Sequence, residues 1–230
     1  RKAPWVRIPS PPQKFVVCST LNFKKGEYMT DCVFCDPEKI KPRTIASFDG
    51  VNIVATLGQI TEGGYVLLIP TDHVPCLGAM NKKQISIVDN ISRQIDHVLR
   101  KEYNSGVTIF EHGIVGQTIK HAHLHLFPEF VYLTDKIRSD FPKSEIQFVK
   151  NLVDLQFQYQ KRQEPYLFWS TTLGKFRVIW NPPAPAQYLR IVSADLLGVP
   201  ERADWKKMDP ELDKTLIDET MKRLSPYLTK

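Results

Sequence analysis

The segment His121-Ala122-His123-Leu124-His125-Leu126-Phe127-Pro128 constrains this chain more than any other. Histidines alternate with apolar residues through it, and alternate side chains of a β-strand leave the same face. A strand here carries three imidazoles on one side and buries Ala122, Leu124 and Leu126 on the other. Chance places three of six histidines at such positions in roughly 0.5% of chains of this length. Three inward imidazoles with only a structural duty would bury polar groups in need of partners. Imidazole is instead suited to nucleophilic and proton-transfer chemistry near neutral pH.

The surrounding pattern predicts an α+β fold. Thr44 to Phe48 and Val51 to Leu57 read as strands joined by the Asp49-Gly50 turn. Gly63-Gly64 leads into a buried strand, Tyr65 to Ile69, ended by Pro70. Asn81 opens a long helix with Gln84 at capping-box spacing, and Val88, Ile91, Ile95, Val98 and Leu99 form its apolar stripe. Asn104-Ser105-Gly106 stops that helix. Val107 to Phe110 and His123 to Phe127 follow as strands, joined by a loop containing Gly113 and Gly116. Ile146, Val149, Leu152 and Val153 predict a helix after Pro142. Tyr166 to Ser170 and Phe176 to Trp180 predict a hairpin around Leu173-Gly174, and Gln187 to Leu197 and Pro210 to Leu224 two closing helices. Pro4, Pro9, Pro11 and Pro12 forbid regular helix in residues 1–14, which read as an extended arm.

The longest apolar run, Tyr65 to Ile69, is far too short to cross a membrane, so no membrane partner is expected. No signal-peptide apolar region is present, although the chain opens at Arg1 without Met. A net charge of +6 favours an anionic partner such as a nucleotide, a phosphorylated metabolite or RNA. The cysteines are Cys18, Cys32, Cys35 and Cys76. In a chain without secretory features, the close Cys32-Val33-Phe34-Cys35 pair reads as a redox or metal site in a reducing compartment.

Gly116-Gln117-Thr118-Ile119-Lys120 followed by the His-Ala-His-Leu-His-Leu-Phe run resembles the signature of the histidine triad superfamily. Gly64-Tyr65-Val66-Leu67-Leu68-Ile69-Pro70 and His73-Val74 are similar to the same superfamily's Gly-His-x-Leu-x-Ile-Pro strand. The resemblance spans about Cys32 to Pro128. It implies an antiparallel sheet with packed helices, and a mechanism in which His123 attacks the α-phosphorus of a nucleotide to form a covalent nucleotidyl-imidazole. It also implies that the carbonyl of His121 fixes the tautomer of His123, that His125 donates to a phosphate oxygen, and that Gln117 and Thr118 bind the same phosphate or the leaving group. Transferase branches usually carry Gln in place of the last histidine, so His125 points to hydrolysis of a phosphoanhydride, phosphoramidate or related phosphodiester. Nucleotidyl transfer or phosphorolysis with a non-water acceptor is the second enzymatic reading.

Cys32-x-x-Cys35 with two distant histidines suits a Cys₂His₂ zinc set. The galactose-1-phosphate uridylyltransferase branch of the superfamily has such a structural site. Carried onto this chain it implies Cys32, Cys35, His73 and His121 as Zn²⁺ ligands, with His112 a substitute. Gln187 to Arg190 and Leu197 to Lys206 resemble the second C-terminal domain of CwfJ-type splicing-associated proteins. That gives three segments: the arm 1–14, a triad-like catalytic domain 15–135, and a C-terminal α+β extension 136–230. It also opens a non-catalytic reading, an RNA-processing binding factor. The expected location is cytoplasmic, or nuclear under the CwfJ-like reading. Many members of the superfamily dimerise, which allows a homodimer here, or an extension that fills the partner's place.

Two positions depart from the superfamily pattern. Leu57 stands where hydrolases usually carry a ribose-binding Asp, and Phe110 where an Asn or Gln is common. The Glu111-His112-Gly113 turn is the expected replacement, which makes Glu111 and His112 candidate substrate contacts; the alternative for His112 is a turn residue beside an obligatory Gly. His97 reads as a solvated helix residue, Trp169 and Trp180 as core or interface, and Cys18 and Cys76 as small apolar residues. Arg190 is either a phosphate contact or half of a structural ion pair.

Overall fold

Asp49 and Gly50 both take positive φ, 47° and 80°, the turn geometry that this dipeptide favours in a two-residue hairpin. They join β1 (Thr44–Phe48) to β2 (Val51–Ala55) in a computed structural model that describes residues 32–171 and 175–228. The expected proline arm, Cys18 and the Leu173-Gly174 turn lie outside the described residues. Six further strands complete one sheet: β3 (Val66–Pro70), β4 (Thr108–Gly113), β5 (Leu124–Phe127), β6 (Ile146–Val149), β7 (Tyr166–Ser170) and β8 (Phe176–Trp180). The order is β1-β2-β3-β5-β4-β7-β8-β6, and each of these strand pairs is antiparallel. The strands after residue 135 therefore continue the sheet that the earlier ones begin, through the β4–β7 ladder.

Helices cover both faces. On one face α2 (Lys82–Tyr103), α4 (Leu152–Arg162) and α6 (Pro210–Leu228) bury Ile85, Val88, Ile95, Leu155 and Leu224 against Ile53, Leu68, Leu124 and Leu126. On the other, α3 (Leu133–Asp140) and α5 (Tyr188–Leu196) pack Leu133, Ile137, Leu189 and Val192 near Leu67, Phe110, Phe127 and Trp169. The short α1 (Pro37–Ile40) follows the cysteine pair. Asn81 and Gln84 form the capping box of α2, and Asn104 ends that helix in the left-handed region.

Two expected elements differ. Ile146 to Val149 is an edge strand, and the helix begins only at Leu152. Apolar residues at 146, 149, 152 and 153 share a helical period, but Asn151 caps Asp154 N and breaks the segment in two. Glu111-His112-Gly113 is not a turn: it is the last half of β4. Among the described residues no helix is long and apolar enough to cross a membrane.

The C-terminal helix is tied to the loop after β2 by one buried carboxylate. Asp213 accepts from Gly58 N at 2.9 Å and Gln59 N at 3.0 Å, and Thr220 Oγ1 accepts from Gly64 N at 2.7 Å. Gly58 sits at φ +71° with a would-be Cβ 2.6 Å from Trp205 Cβ, so only glycine fits this close approach. Asp213→Ala strands two buried N–H groups and should lower the unfolding free energy by about 3 kcal/mol. An unshifted urea midpoint would show that α6 is not held this way.

Candidate active site and metal cluster

β5 lies between β3 and β4, with Leu67 opposite His125 on one side and Phe110 opposite His125 on the other. Period-2 alternation sends Ala122, Leu124 and Leu126 into the core under α2 and leaves His123 and His125 on the opposite face. That face forms a cleft of about 310 Å³ lined by His112, His123, His125, Gln117 and Thr118, among others.

Hydrogen bonds to backbone groups settle three of the tautomers. His123 Nδ1 lies 2.6 Å from the carbonyl oxygen of His121. A carbonyl only accepts, so Nδ1 carries the proton and Nε2 presents a lone pair. His121 Nε2 lies 2.8 Å from the carbonyl of Pro70, so His121 is protonated there and its Nδ1 lone pair faces the cysteines. His112 Nε2 accepts from Leu189 N at 3.0 Å, in the first turn of α5, so its proton is on Nδ1. Burial pushes the pKa of His123 down, opposed by the His121 carbonyl. Burial also pushes His125 well down, with help from His123, His112 and Arg190. Neutral imidazole is the nucleophilic form.

His125 has a different environment. Its Nδ1 is 2.7 Å from the Tyr65 hydroxyl, its ring stacks on Phe110 at 4.3 Å, and its Nε2 is buried with no partner among the described residues. Burial raises Tyr65 to about 12, so the phenol stays protonated. Phe34, inside the cysteine pair, packs edge-on against both His121 at 5.8 Å and His123 at 5.1 Å.

The cysteine pair, His73 and His121 converge. All four ligand atoms lie within 4.8 Å of one another. Cys32 Sγ and Cys35 Sγ are 3.5 and 3.4 Å from His121 Nδ1, and Cys35 Sγ is 3.2 Å from His73 Nδ1. A tetrahedral ion with ordinary Zn–S and Zn–N bonds sets its ligands about 3.5 Å apart, so the donor set and its spacing fit such an ion. The Pro70 carbonyl on His121 Nε2 is the outer partner that orients a ligating imidazole.

Not every candidate arrives in the cleft. Glu111 points through the sheet, accepting from Leu77 N at 2.8 Å and Tyr166 Oη at 2.5 Å, with burial raising its pKa to about 7. As a strand residue between Phe110 and His112, it must face the other side. Gln117 lines the cleft while donating to Pro75 O at 2.9 Å, and Thr118 lines it exposed. His112 lines the cleft and also holds α5. His97 is exposed, Cys76 and Trp169 are buried, and Trp180 is half-buried. Arg190 forms no ion pair among the described residues: it is buried at the cleft wall and bonds the carbonyls of Gly58, Arg202 and Ala203. Tyr65, Phe34 and Arg43 are cleft or triad neighbours that sequence reasoning passed over, although Tyr65 stands within the recognised Gly-x-x-Leu-x-Ile-Pro strand.

Residues 31–137 match the family model described as the scavenger mRNA decapping enzyme C-terminal binding domain. An uncharacterised HIT-like protein of Mycoplasma genitalium is 28% identical over 108 residues, covering 44% of this chain and 74% of that protein. Residues 31–137 thus match a histidine triad-like domain. A zinc finger CCCH domain-containing protein of Arabidopsis thaliana is 24% identical over 216 residues, covering 86% of this chain. The chain spans only 35% of that relative's length. Among solved structures, a HIT family protein from Bacillus anthracis is 25% identical, covers 45% of this chain and 76% of its own, and superposes with a TM-score of 0.41.

His112 offers a pH test of this histidine triad site. Burial holds it at about 3 in the folded chain against an ordinary value of 6.5. Between those values the unfolded state binds a proton that the native state refuses, so stability falls as pH falls. From pH 7 to pH 5 that one group should cost about 2 kcal/mol. His112→Gln, which keeps an acceptor for Leu189 N, should remove that share of the slope in urea melts. An identical slope would show that His112 is not buried neutral.

Proposed function

We propose that the chain is a nucleotide phosphohydrolase working through a covalent nucleotidyl-histidine on His123. The observation that carries this is the carbonyl of His121 on His123 Nδ1, which leaves the Nε2 lone pair on the cleft side of a buried, neutral ring. The Nε2 pair attacks phosphorus as the bond to the leaving oxygen breaks; that oxygen departs with the bonding pair and takes a proton from solvent. Water then attacks phosphorus and loses a proton to solvent, and the P–N pair returns to Nε2. His125 steadies the phosphoryl oxygens. With the Tyr65 hydroxyl donating to Nδ1, its unpartnered Nε2 carries the proton that does so. Gln117 and Thr118 are the flanking polar contacts, and Glu111 takes no part.

In this reading residues 15–135 are the catalytic module, 136–230 the extension that walls its cleft, and 1–14 an arm. Cys32, Cys35, His73 and His121 would hold a structural Zn²⁺, which would fix His121 and, through its carbonyl, the orientation of His123. The partners are a nucleotide or nucleotide conjugate, with RNA as a further anionic ligand, in the cytoplasm or, on the CwfJ-like reading, the nucleus.

His123→Ala should abolish turnover with an unchanged far-UV spectrum, and intact mass spectrometry should find the nucleotidyl adduct only in the parent chain. Hydrolysis by the variant, or an adduct that persists in it, would refute covalent catalysis. Tyr65→Phe should lower kcat by ten- to a hundredfold with KM little changed, because the tautomer and not the binding surface is altered. Metal analysis of protein prepared without added zinc should give one equivalent per chain. Cys32→Ser should lose it, and undiminished metal would remove Cys32 from the cluster.

A further inference from the structure

Three permanent cations line the same cleft, and the triad chemistry uses none of them. Arg43 enters ahead of β1, while Arg190 on α5 and Lys206 come from the C-terminal segment. None has a carboxylate within 4 Å among the described residues. Arg43 donates to Ala55 O at 2.5 Å, and Arg190 reaches the Gly58 carbonyl, so two guanidiniums grip the backbone on either side of Leu57. Carbonyl oxygens solvate a guanidinium without cancelling its charge. Asp213 is a longer-range opposite charge for Arg43; its oxygens bond Gly58 N and Gln59 N and form no ion pair with the guanidinium. Arg43 is half-buried, Arg190 buried and Lys206 exposed at the rim, and cations grouped with no carboxylate in contact favour an anionic occupant. No Asp or Glu lines the cleft among the described residues.

The position of this charge sets the chemistry of the occupant. β2 is two strands from β5, so the backbone that Arg43 grips lies about 10 Å from the triad strand. A phosphate seated on His123 does not itself reach so far. Beside these cations, Trp205 packs on Gly58 and, with Leu57, lines an apolar stretch of the cleft. Lys206 Nζ lies 5.5 Å from the Trp205 ring. An aromatic plane with flanking cations is a surface for a base or sugar and its phosphate.

We propose that Arg43, Arg190 and Lys206 form a second anion subsite, and that the substrate is a nucleotide bearing a phosphate beyond the one attacked. This rests on the nucleotidyl-histidine reading for which phosphate is attacked, whereas the second subsite is tested by binding alone. The second phosphate is either on the ribose, as at an RNA end, or further along the 5′ chain.

Calorimetric titration of the full chain carrying His123→Ala, which prevents turnover, separates these. The ligands are AMP, adenosine 3′,5′-bisphosphate and ATP. At least one of the doubly anionic ligands should bind tenfold or more tighter than AMP: the bisphosphate if the second group is on the ribose, ATP if it is on the 5′ chain. Lys206→Gln, an exposed change with no ion pair to break, should cut that preference at least threefold, and Arg43→Gln should cut it further in protein whose melting temperature is unchanged. Equal binding of all three ligands, or a preference that survives both substitutions, would overturn the subsite. Hydrolysis by His123→Ala would instead count against the covalent mechanism and leave the binding comparison standing.

Discussion

The carbonyl oxygen of His121 is the point on which the site turns. It accepts the Nδ1 proton of His123, and so decides which nitrogen of that ring has a lone pair to offer. That carbonyl is useful only if its own residue is immobile. His121 is held at both ring nitrogens, by Pro70 O on one side and by the cysteine cluster on the other. The ends of two neighbouring strands and a cysteine turn thus converge on a single peptide unit. The three histidines of one motif have three distinct environments: an anchor, a ring with a free lone pair, and a ring between Tyr65 and Phe110.

Much of this was legible in the sequence because it depends on local periodicity. Alternation through residues 121–127 gives the two faces of β5, the Asp-Gly pair gives the first hairpin, and the Asn81–Gln84 spacing gives the start of α2. The gathering of Cys32, Cys35, His73 and His121 was readable through the family resemblance, and the four side chains do converge. Failures came where long-range contacts decide. Residues 146–149 share a helical period with the next turn, yet they pair with β8 because an edge of the sheet is open to them. Glu111 was grouped with His112 as neighbours in sequence, and strand geometry separates neighbours onto opposite faces. Arg190 reads in the sequence as either a phosphate contact or half of a structural ion pair, and it forms no ion pair among the described residues. Its partners are three carbonyls from Gly58, Arg202 and Ala203, and nothing in the local sequence announces an acceptor that is only backbone.

The extension changes what kind of cleft the triad can have. Leu189 N bonds His112, Gln187 N bonds the Gly116 carbonyl at 2.8 Å, and Asp213 bonds the loop after β2. Its residues therefore hold the Gly116 loop, the histidine beside the triad and the far end of the cleft at once. β7 continues the sheet beyond β4, and α5 packs on the face that carries the site. A cleft assembled from both parts of the chain should lose its shape, as well as its charge, when the extension is loosened. Long-range tethers of this kind give two parts of a sequence one cooperative structure. They also explain why the triad motif does not by itself describe the cleft: one wall of it is built by residues more than sixty positions further along the chain.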